Sequence, residues 1–161
     1  MTNGLSIRYA VPDDAAGIAR VHVQAWRETY AHLLPADTLA GLDVGAREET
    51  WRERIAATTD VRVASDGAEI IGWATAGAGR DADCPRPLEL EGIYVLASHL
   101  GSGAGQLLLD AAVGVRPAYL WIAADNPRAL AFYRRNGFVQ DGASGTAELA
   151  GVPVRIMRLV R

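Results

Sequence analysis

The stretch from Leu88 to Phe138 constrains the fold of this chain more than any other part. It has the pattern of an apolar strand, a glycine-rich turn, a helix, a second strand and a second helix. The first strand is Leu88–Val95, the turn is Leu100–Gly105, and the second helix lies within Asn126–Phe138. A strand–helix–strand passage predicts a right-handed crossover between parallel strands. The pattern therefore predicts helices packed on a sheet that contains at least one parallel pair.

The rest of the chain adds helices and strands on both sides of this block. The expected elements are a strand at Ser6–Ala10, a helix with an apolar stripe from Ala15 to Tyr30, a second helix at Ala46–Ala57, strands at Val61–Ala64 and Glu69–Ala78 joined by a turn at Asp66-Gly67, a strand beginning at Val139–Gln140, and a last strand at Val152–Val160. This order predicts a mixed α/β fold, with residues 1–161 forming one domain around a central sheet.

Composition narrows the function classes. The chain has 161 residues, of which half are hydrophobic, and a formal net charge of -3. It has no basic cluster, so nucleic acid is not expected as the main partner. No apolar run approaches the roughly 20 residues that span a bilayer, and the first residues show no secretory signal, so a cytoplasmic location is expected. Cys84 is the only cysteine, and the histidines lack metal-ligand spacing, so neither a disulfide within the chain nor a metal site is expected.

The glycine turn has glycines at positions 101, 103 and 105, and the helix after it has no acidic residue before Asp110. The positive end of that helix is therefore free for an anion, although a turn that merely packs tightly would look the same. A Walker loop requires a lysine, and the chain contains none. A dinucleotide fingerprint fits poorly, because its sixth position falls on Gln106. The third interpretation is a pyrophosphate site followed by an asparagine-capped helix.

That third pattern resembles the GNAT (GCN5-related) N-acetyltransferase family over nearly the whole chain. The family's first signature, Gln/Arg-x-x-Gly-x-Gly/Ala, falls on Leu100–Gly105, where Leu100 replaces the polar first residue. Its second signature falls on Asn126, Ala129, Phe132-Tyr133 and Gly137-Phe138. The resemblance implies the acyl-CoA N-acyltransferase fold, with a mixed, mostly antiparallel sheet flanked by helices, and acetyl-CoA (coenzyme A) as cofactor. The substitution at Leu100 removes one side-chain anchor for the diphosphate.

The resemblance also implies a cofactor site. The pantetheine arm would pair like an extra strand with the main chain of Ile93–Val95, and the diphosphate would lie on the amides of the glycine turn. The Tyr133 hydroxyl would donate a proton to the departing thiolate. The implied cofactor-binding residues are Ile93, Tyr94, Val95, Leu100, Gly101, Ser102, Gly103, Ala104, Gly105, Asn126, Ala129, Phe132 and Tyr133. Asn126 is expected to cap its helix, with Pro127 at the first helical position.

Glu89 and Glu91 are the candidate general bases, because the attacking amine must lose a proton. Strand alternation puts both on one face, and by the same alternation on the side of Ile93 and Val95. Matching the family motif without gaps points to Glu89, but Glu91 lies closer to the region where substrate enters and is slightly favoured. The alternative to a catalytic role is that Glu89 and Glu91 are simply two solvated acids on an exposed edge of the sheet. Direct transfer between bound amine and thioester needs no covalent acyl-enzyme, and Cys84 is expected to be inert.

The acceptor is expected to lie against aromatic residues. The candidate substrate-binding residues are Trp26, Tyr30, Trp73 and Glu91, whereas Trp51 and His22 are interpreted as core. The resulting hypothesis is an acetyl-CoA-dependent N-acetyltransferase that acts on a small-molecule primary amine. A protein N-terminus or lysine as acceptor, and a non-catalytic CoA-binding sensor, remain alternatives. A homodimer with a contribution from Val152–Val160 is expected by analogy with the family.

Overall fold

The computed structural model describes residues 4–58 and 60–161. The strands are β1 Leu5–Tyr9, β2 Val61–Asp66, β3 Glu69–Ala78, β4 Leu88–Val95, β5 Ala118–Ala123, β6 Val139–Leu149 and β7 Val152–Val160. The helices are α1 Ala15–Thr29, α2 Ala36–Ala40, α3 Val44–Ala57, α4 Ala104–Ala112 and α5 Pro127–Arg135. None of the described helices is long and apolar enough to cross a membrane. The expectation about a secretory signal falls partly on residues 1–3, which lie outside the described residues.

The strands form a seven-stranded sheet in the order β1-β2-β3-β4-β5-β7-β6. The pair β4–β5 is parallel, as the crossover predicts, and the other neighbouring pairs are antiparallel. This confirms the mixed, mostly antiparallel α/β sheet. β7 lies between β5 and β6; it pairs with β6 from Val152 to Val160 and with β5 from Ile156 to Val160.

Each face of the sheet is covered by a different helix pair. On one face, Ile18 of α1 and Ile55 of α3 pack with Val63 and Trp73. On the other face, Leu108 of α4 packs with the β5 residue Leu120, and Tyr133 of α5 belongs to the same cluster. Strand alternation provides both faces, because successive side chains point to opposite sides of a sheet.

Several element boundaries differ from the sequence expectation. α3 begins at Val44 rather than Ala46, because the Asp43 carboxylate caps it by accepting from the Ala46 N–H (3.1 Å). β2 continues to Asp66, so the hairpin turn shifts to Gly67-Ala68. The short helix α2 was not predicted as a separate element and forms part of the connection between α1 and α3.

A β-bulge in β4 makes one predicted orientation wrong. Thr75 pairs with Gly92 and Ala76 pairs with Leu90, so Glu91 is the extra residue. After this bulge, Ile93 and Val95 pack into the α4 cluster, while Glu91 contacts Arg54 of α3 on the opposite face. Ile93 and Val95 therefore do not share a face with Glu91, because the inserted residue breaks the period-two alternation.

Candidate active site

The central feature of the candidate site is an opening between β4 and β5. In the described chain these strands pair only at Leu88 with Ala118 and at Glu89 with Tyr119. Beyond that point they separate, next to the bulge at Glu91. The Leu96 N–H donates to the Ile71 carbonyl (2.9 Å) on the β3 side. Since backbone groups alternate along a strand, the amides of Val95 and Ile93 face the opening, where an extended amide-rich ligand could pair with them.

The glycine turn lies between β4 and α4. Gly101 and Gly103 have φ angles of 80° and 95°, a region that glycine adopts without strain. A Cβ built on either residue meets no heavy atom within 4 Å, so the space over the turn is open. The glycines are needed for backbone conformation, and they leave the main chain accessible to a ligand.

Several amides of this turn have no protein acceptor. The Ser102 N–H donates to the His99 carbonyl (3.2 Å) and the Ala104 N–H to the Ser102 hydroxyl (3.3 Å). Within the described residues, Gly101, Gly103 and Gly105 have no such partner. Free amides at the start of a helix favour a phosphate or another anion. Leu100, which is 46% exposed, adds no polar side chain to them.

Helix α5 places Tyr133 beside the opening. The Asn126 side chain accepts from the Ala129 N–H (3.2 Å) and caps the helix, as predicted. The Tyr133 ring packs against Phe132 and Phe138, with centroids 5.1 and 5.7 Å away. Burial raises the pKa of the Tyr133 hydroxyl, and Tyr30 raises it further. Tyr133 therefore keeps its proton at neutral pH and can act as an acid.

Glu89 is a buried carboxylate that forms an ion pair with the mostly exposed Arg80. Arg80 contacts both of its carboxylate oxygens through its guanidinium (2.8 and 3.0 Å), and the Tyr119 hydroxyl donates to it at 3.1 Å. Burial raises the pKa of Glu89, but the hydrogen bonds from Arg80 outweigh that effect and hold it below its usual value. A carboxylate whose oxygens are occupied is a weak proton acceptor. Because Arg80 lies in the loop between β3 and β4, its contacts with Glu89 stabilise that loop.

Glu91 is the acidic residue at the bulge. It forms an ion pair with Arg54 of α3 and keeps 14% of its side chain exposed. A Cβ on Gly77 would lie 2.9 Å from the Glu91 Oε1, so glycine at position 77 makes room for this carboxylate. Glu91 thus lies between β3 and α3 on the face of Glu89, as alternation predicted for the two acids, but nearer the opening.

Six side chains with aromatic rings pack against one another next to Arg54, the partner of Glu91, and we call them the aromatic cluster: His22, Trp26, Tyr30, Trp51, Trp73 and Tyr94. The Tyr30 and Tyr94 hydroxyls lie 2.7 Å apart. The structure therefore brings the predicted residues Trp26, Tyr30 and Trp73 together. Trp51, interpreted as core, is buried and also belongs to the cluster, where its indole N–H donates to the His22 Nδ1 (3.1 Å).

Sequence reasoning missed Arg47 and Arg54 on α3. Arg47 lies 5.5 Å from the centre of the Trp26 ring, and Arg54 lies 5.8 Å from that of Trp51. The spacing of positions 47, 51 and 54 puts them on one helix face, which was the available signal. Arginines on an amphipathic helix are more often solvated, so the signal was weak. No group of three or more potential metal ligands occurs in the described part of the chain.

The opening, the free turn amides and the capped helix define a site suited to a long ligand with amides and a diphosphate, next to a carboxylate and a tyrosine. A model of the acetyltransferase (GNAT) family matches residues 23–138. The chain belongs to this family, which makes it an N-acetyltransferase with acetyl-CoA as cofactor and confirms the predicted family and enzyme class.

Individual relatives agree with this assignment. The uncharacterized N-acetyltransferase YuaI of Bacillus subtilis is 30% identical over 94% of this chain and 89% of its own length. The PaiA N-acetyltransferase of Thermoplasma acidophilum, solved with coenzyme A, superposes with a TM-score of 0.75 at 19% identity, covering 98% of both chains. The putative acetyltransferase yncA of Salmonella typhimurium, solved with acetyl-CoA, superposes with a TM-score of 0.67 at 19% identity, covering 99% of this chain and 94% of its own chain. The two structures confirm the predicted fold.

Proposed function

We propose that this enzyme transfers the acetyl group of acetyl-CoA to the primary amine of a small molecule, with Glu91 and Tyr133 on opposite sides of the reaction centre. The observation that supports this most is the opening between β4 and β5, with a carboxylate at its bulged strand and a buried tyrosine on the helix beside it. Acetyl-CoA supplies a thioester whose acyl group an amine can attack.

Each chain residue then has a chemical role. Glu91 takes the proton of the amine, directly or through water, because an amine with a pKa near 10 is mostly protonated at neutral pH. The Val95 N–H donates to the oxygen on which negative charge develops. Tyr133 gives its proton to the departing sulfur. Glu89, the other candidate base, is less suited because Arg80 and Tyr119 occupy both of its oxygens, whereas Arg54 contacts only the Oε2 of Glu91.

A small acceptor is favoured by the enclosure of the aromatic cluster. Trp73 and Tyr30 are only 5% and 6% exposed, and helices α1 and α3 both contribute rings to the cluster. A peptide would need an open groove past these side chains. A cytoplasmic location and a homodimer remain predictions from the sequence.

The test is coenzyme A release from acetyl-CoA, measured with small amines and with peptides that offer a free N-terminus or a lysine. We expect small amines to be the better substrates, and Tyr133→Phe to lower kcat more than cofactor affinity. Tyr9→Phe is the matched control, because Tyr9 is 55% exposed on β1. Faster turnover of peptides would contradict the small-molecule proposal. Cofactor binding without turnover of any amine, and no effect of Tyr133→Phe, would instead favour a non-catalytic sensor.

A further inference from the structure

Buried hydrogen-bond donors without acceptors are concentrated around the aromatic cluster. In the described chain, four of the five buried side-chain polar atoms that lack a partner belong to the cluster or to Arg54 beside it: His22 Nε2, Trp26 Nε1, Trp73 Nε1 and Arg54 Nε. Most buried polar groups in proteins find a partner, because leaving one unpaired is unfavourable. A concentration of unpaired groups at one place therefore needs an explanation.

All four atoms are donors. The His22 Nδ1 accepts the Trp51 indole N–H (3.1 Å), so the proton of the neutral ring is on Nε2. The indole nitrogens and the Arg54 Nε can only donate. A ligand that satisfies these groups must supply acceptor oxygens, and an amine alone supplies none.

Arg47 adds an unpaired positive charge at the same place. Its guanidinium lies over Trp26 (5.5 Å), and it forms no ion pair with another described residue. The two other arginines of α3 do have carboxylate partners: Arg54 pairs with Glu91, and Arg52 pairs with Glu48 at 2.8 Å. Arg47 therefore offers a charged, planar donor next to the cluster, a geometry that suits a carboxylate.

The Glu91 carboxylate and the Arg47 guanidinium lie toward opposite ends of the site. Glu91 is held near Arg54, and Arg47 is seven residues away, about 10 Å along the helix axis. Trp51 lies between the two arginines on the same helix face. An acceptor with its amine at Glu91 and an oxyanion toward Arg47 would satisfy both ends.

From these observations we propose that the acceptor is an amine that also bears a carboxylate, with Arg47 as the residue that binds the carboxylate. This inference rests on the proposed N-acetyltransferase function and deepens it by naming the class of acceptor. Of the buried donors, the Trp26 indole N–H belongs to the ring over which the Arg47 guanidinium packs.

The test compares amino carboxylates with the plain amines that lack the carboxylate, such as 4-aminobutanoate with butylamine and 6-aminohexanoate with hexylamine. We expect kcat/KM for at least one amino carboxylate to exceed that of its partner by roughly tenfold or more. Arg47→Gln should reduce this ratio by a similar factor. Arg52→Gln, on the same helix but already paired with Glu48, should leave the ratio unchanged. Equal or better turnover of the plain amines, or an unchanged ratio in Arg47→Gln, would overturn the proposal.

A binding measurement separates this inference from the proposed function. Trp26, Trp51 and Trp73 lie in the cluster, so their fluorescence should respond when a ligand enters. Suppose that amino carboxylates change the tryptophan fluorescence, that Arg47→Gln abolishes this change, and that no amine is turned over. This result would support the inference and refute the proposed transfer to an amine. No such change together with turnover of plain amines would refute the inference alone.

Discussion

His22 should make the protein less stable in mild acid. The ring is packed among Trp26, Trp73 and Tyr94, with centroid distances of 5.2, 5.2 and 6.1 Å. Burial and, to a smaller extent, the positive charge of Arg47 lower the pKa of His22 from its ordinary value of 6.5 to about 4. The unfolded chain therefore binds a proton near pH 6.5 that the folded protein does not take up until the pH is much lower.

The sign and size of the effect follow from this difference. Because the unfolded state binds more protons between the two pKa values, the free energy of unfolding falls as the pH falls. Between about pH 7.5 and about pH 5 the folding equilibrium should weaken by about 30-fold from His22 alone, or about 2 kcal/mol. The loss should level off below about pH 4, once the folded protein also takes up the proton.

Urea unfolding at the two pH values measures this loss. His22→Gln keeps a side-chain oxygen for the Trp51 indole but cannot titrate. Between the two pH values, the free energy of unfolding of this variant should therefore decrease by about 2 kcal/mol less than that of the wild type. Arg47→Gln should give an intermediate loss, because it removes one of the two causes of the lowered pKa. Equal losses in the wild type and His22→Gln would refute the reasoning.

Three further changes test the site and its support. Glu91→Gln should lower kcat/KM by about 10²- to 10⁴-fold at neutral pH. The loss should become smaller at higher pH, where the free amine is already deprotonated. A loss that does not depend on pH would contradict the role of Glu91 as a base. Gly77→Ala brings a Cβ to 2.9 Å from the Glu91 carboxylate and should lower kcat by roughly 10- to 100-fold while calorimetry shows unchanged coenzyme A affinity; an unchanged kcat would refute this positioning. Arg80→Gln leaves the buried Glu89 with fewer hydrogen-bond partners and should lower the free energy of unfolding in urea by about 1–3 kcal/mol. An unchanged midpoint of the urea transition would show that the pair does not stabilise the fold.

The sequence could predict the central block because its signals are local. The strand Leu88–Val95, the glycine turn and the Asn126 cap each follow from neighbouring residues, and the structure has all of them. The β4 bulge was less accessible, since it depends on pairing with β3. Gly92, next to the extra residue Glu91, was a signal for it, because glycine inside a strand often marks a bulge.

Contacts between distant segments could not be predicted. Arg158 on β7 pairs with Asp81, Asp83 and Asp141, with distances of 2.7 to 2.8 Å, and these partners come from two other parts of the chain. The same limit applied to the unpaired Arg47, whose position over Trp26 depends on how α3 packs against α1. Patterns of polarity give the faces of a helix but not the partners that a charged residue meets.

Calorimetric titration with coenzyme A tests most directly whether the turn amides and the sheet opening bind the cofactor. Gly103→Ala places a side chain in the open space over the turn, and Gly151→Ala is the matched control, because both glycines have positive φ (95° and 78°) and neither would have a neighbour within 4 Å of a Cβ. We expect binding by the wild type and by Gly151→Ala, and at least roughly tenfold weaker binding by Gly103→Ala. An absence of binding by the wild type, or equal affinities in the two variants, would contradict the account.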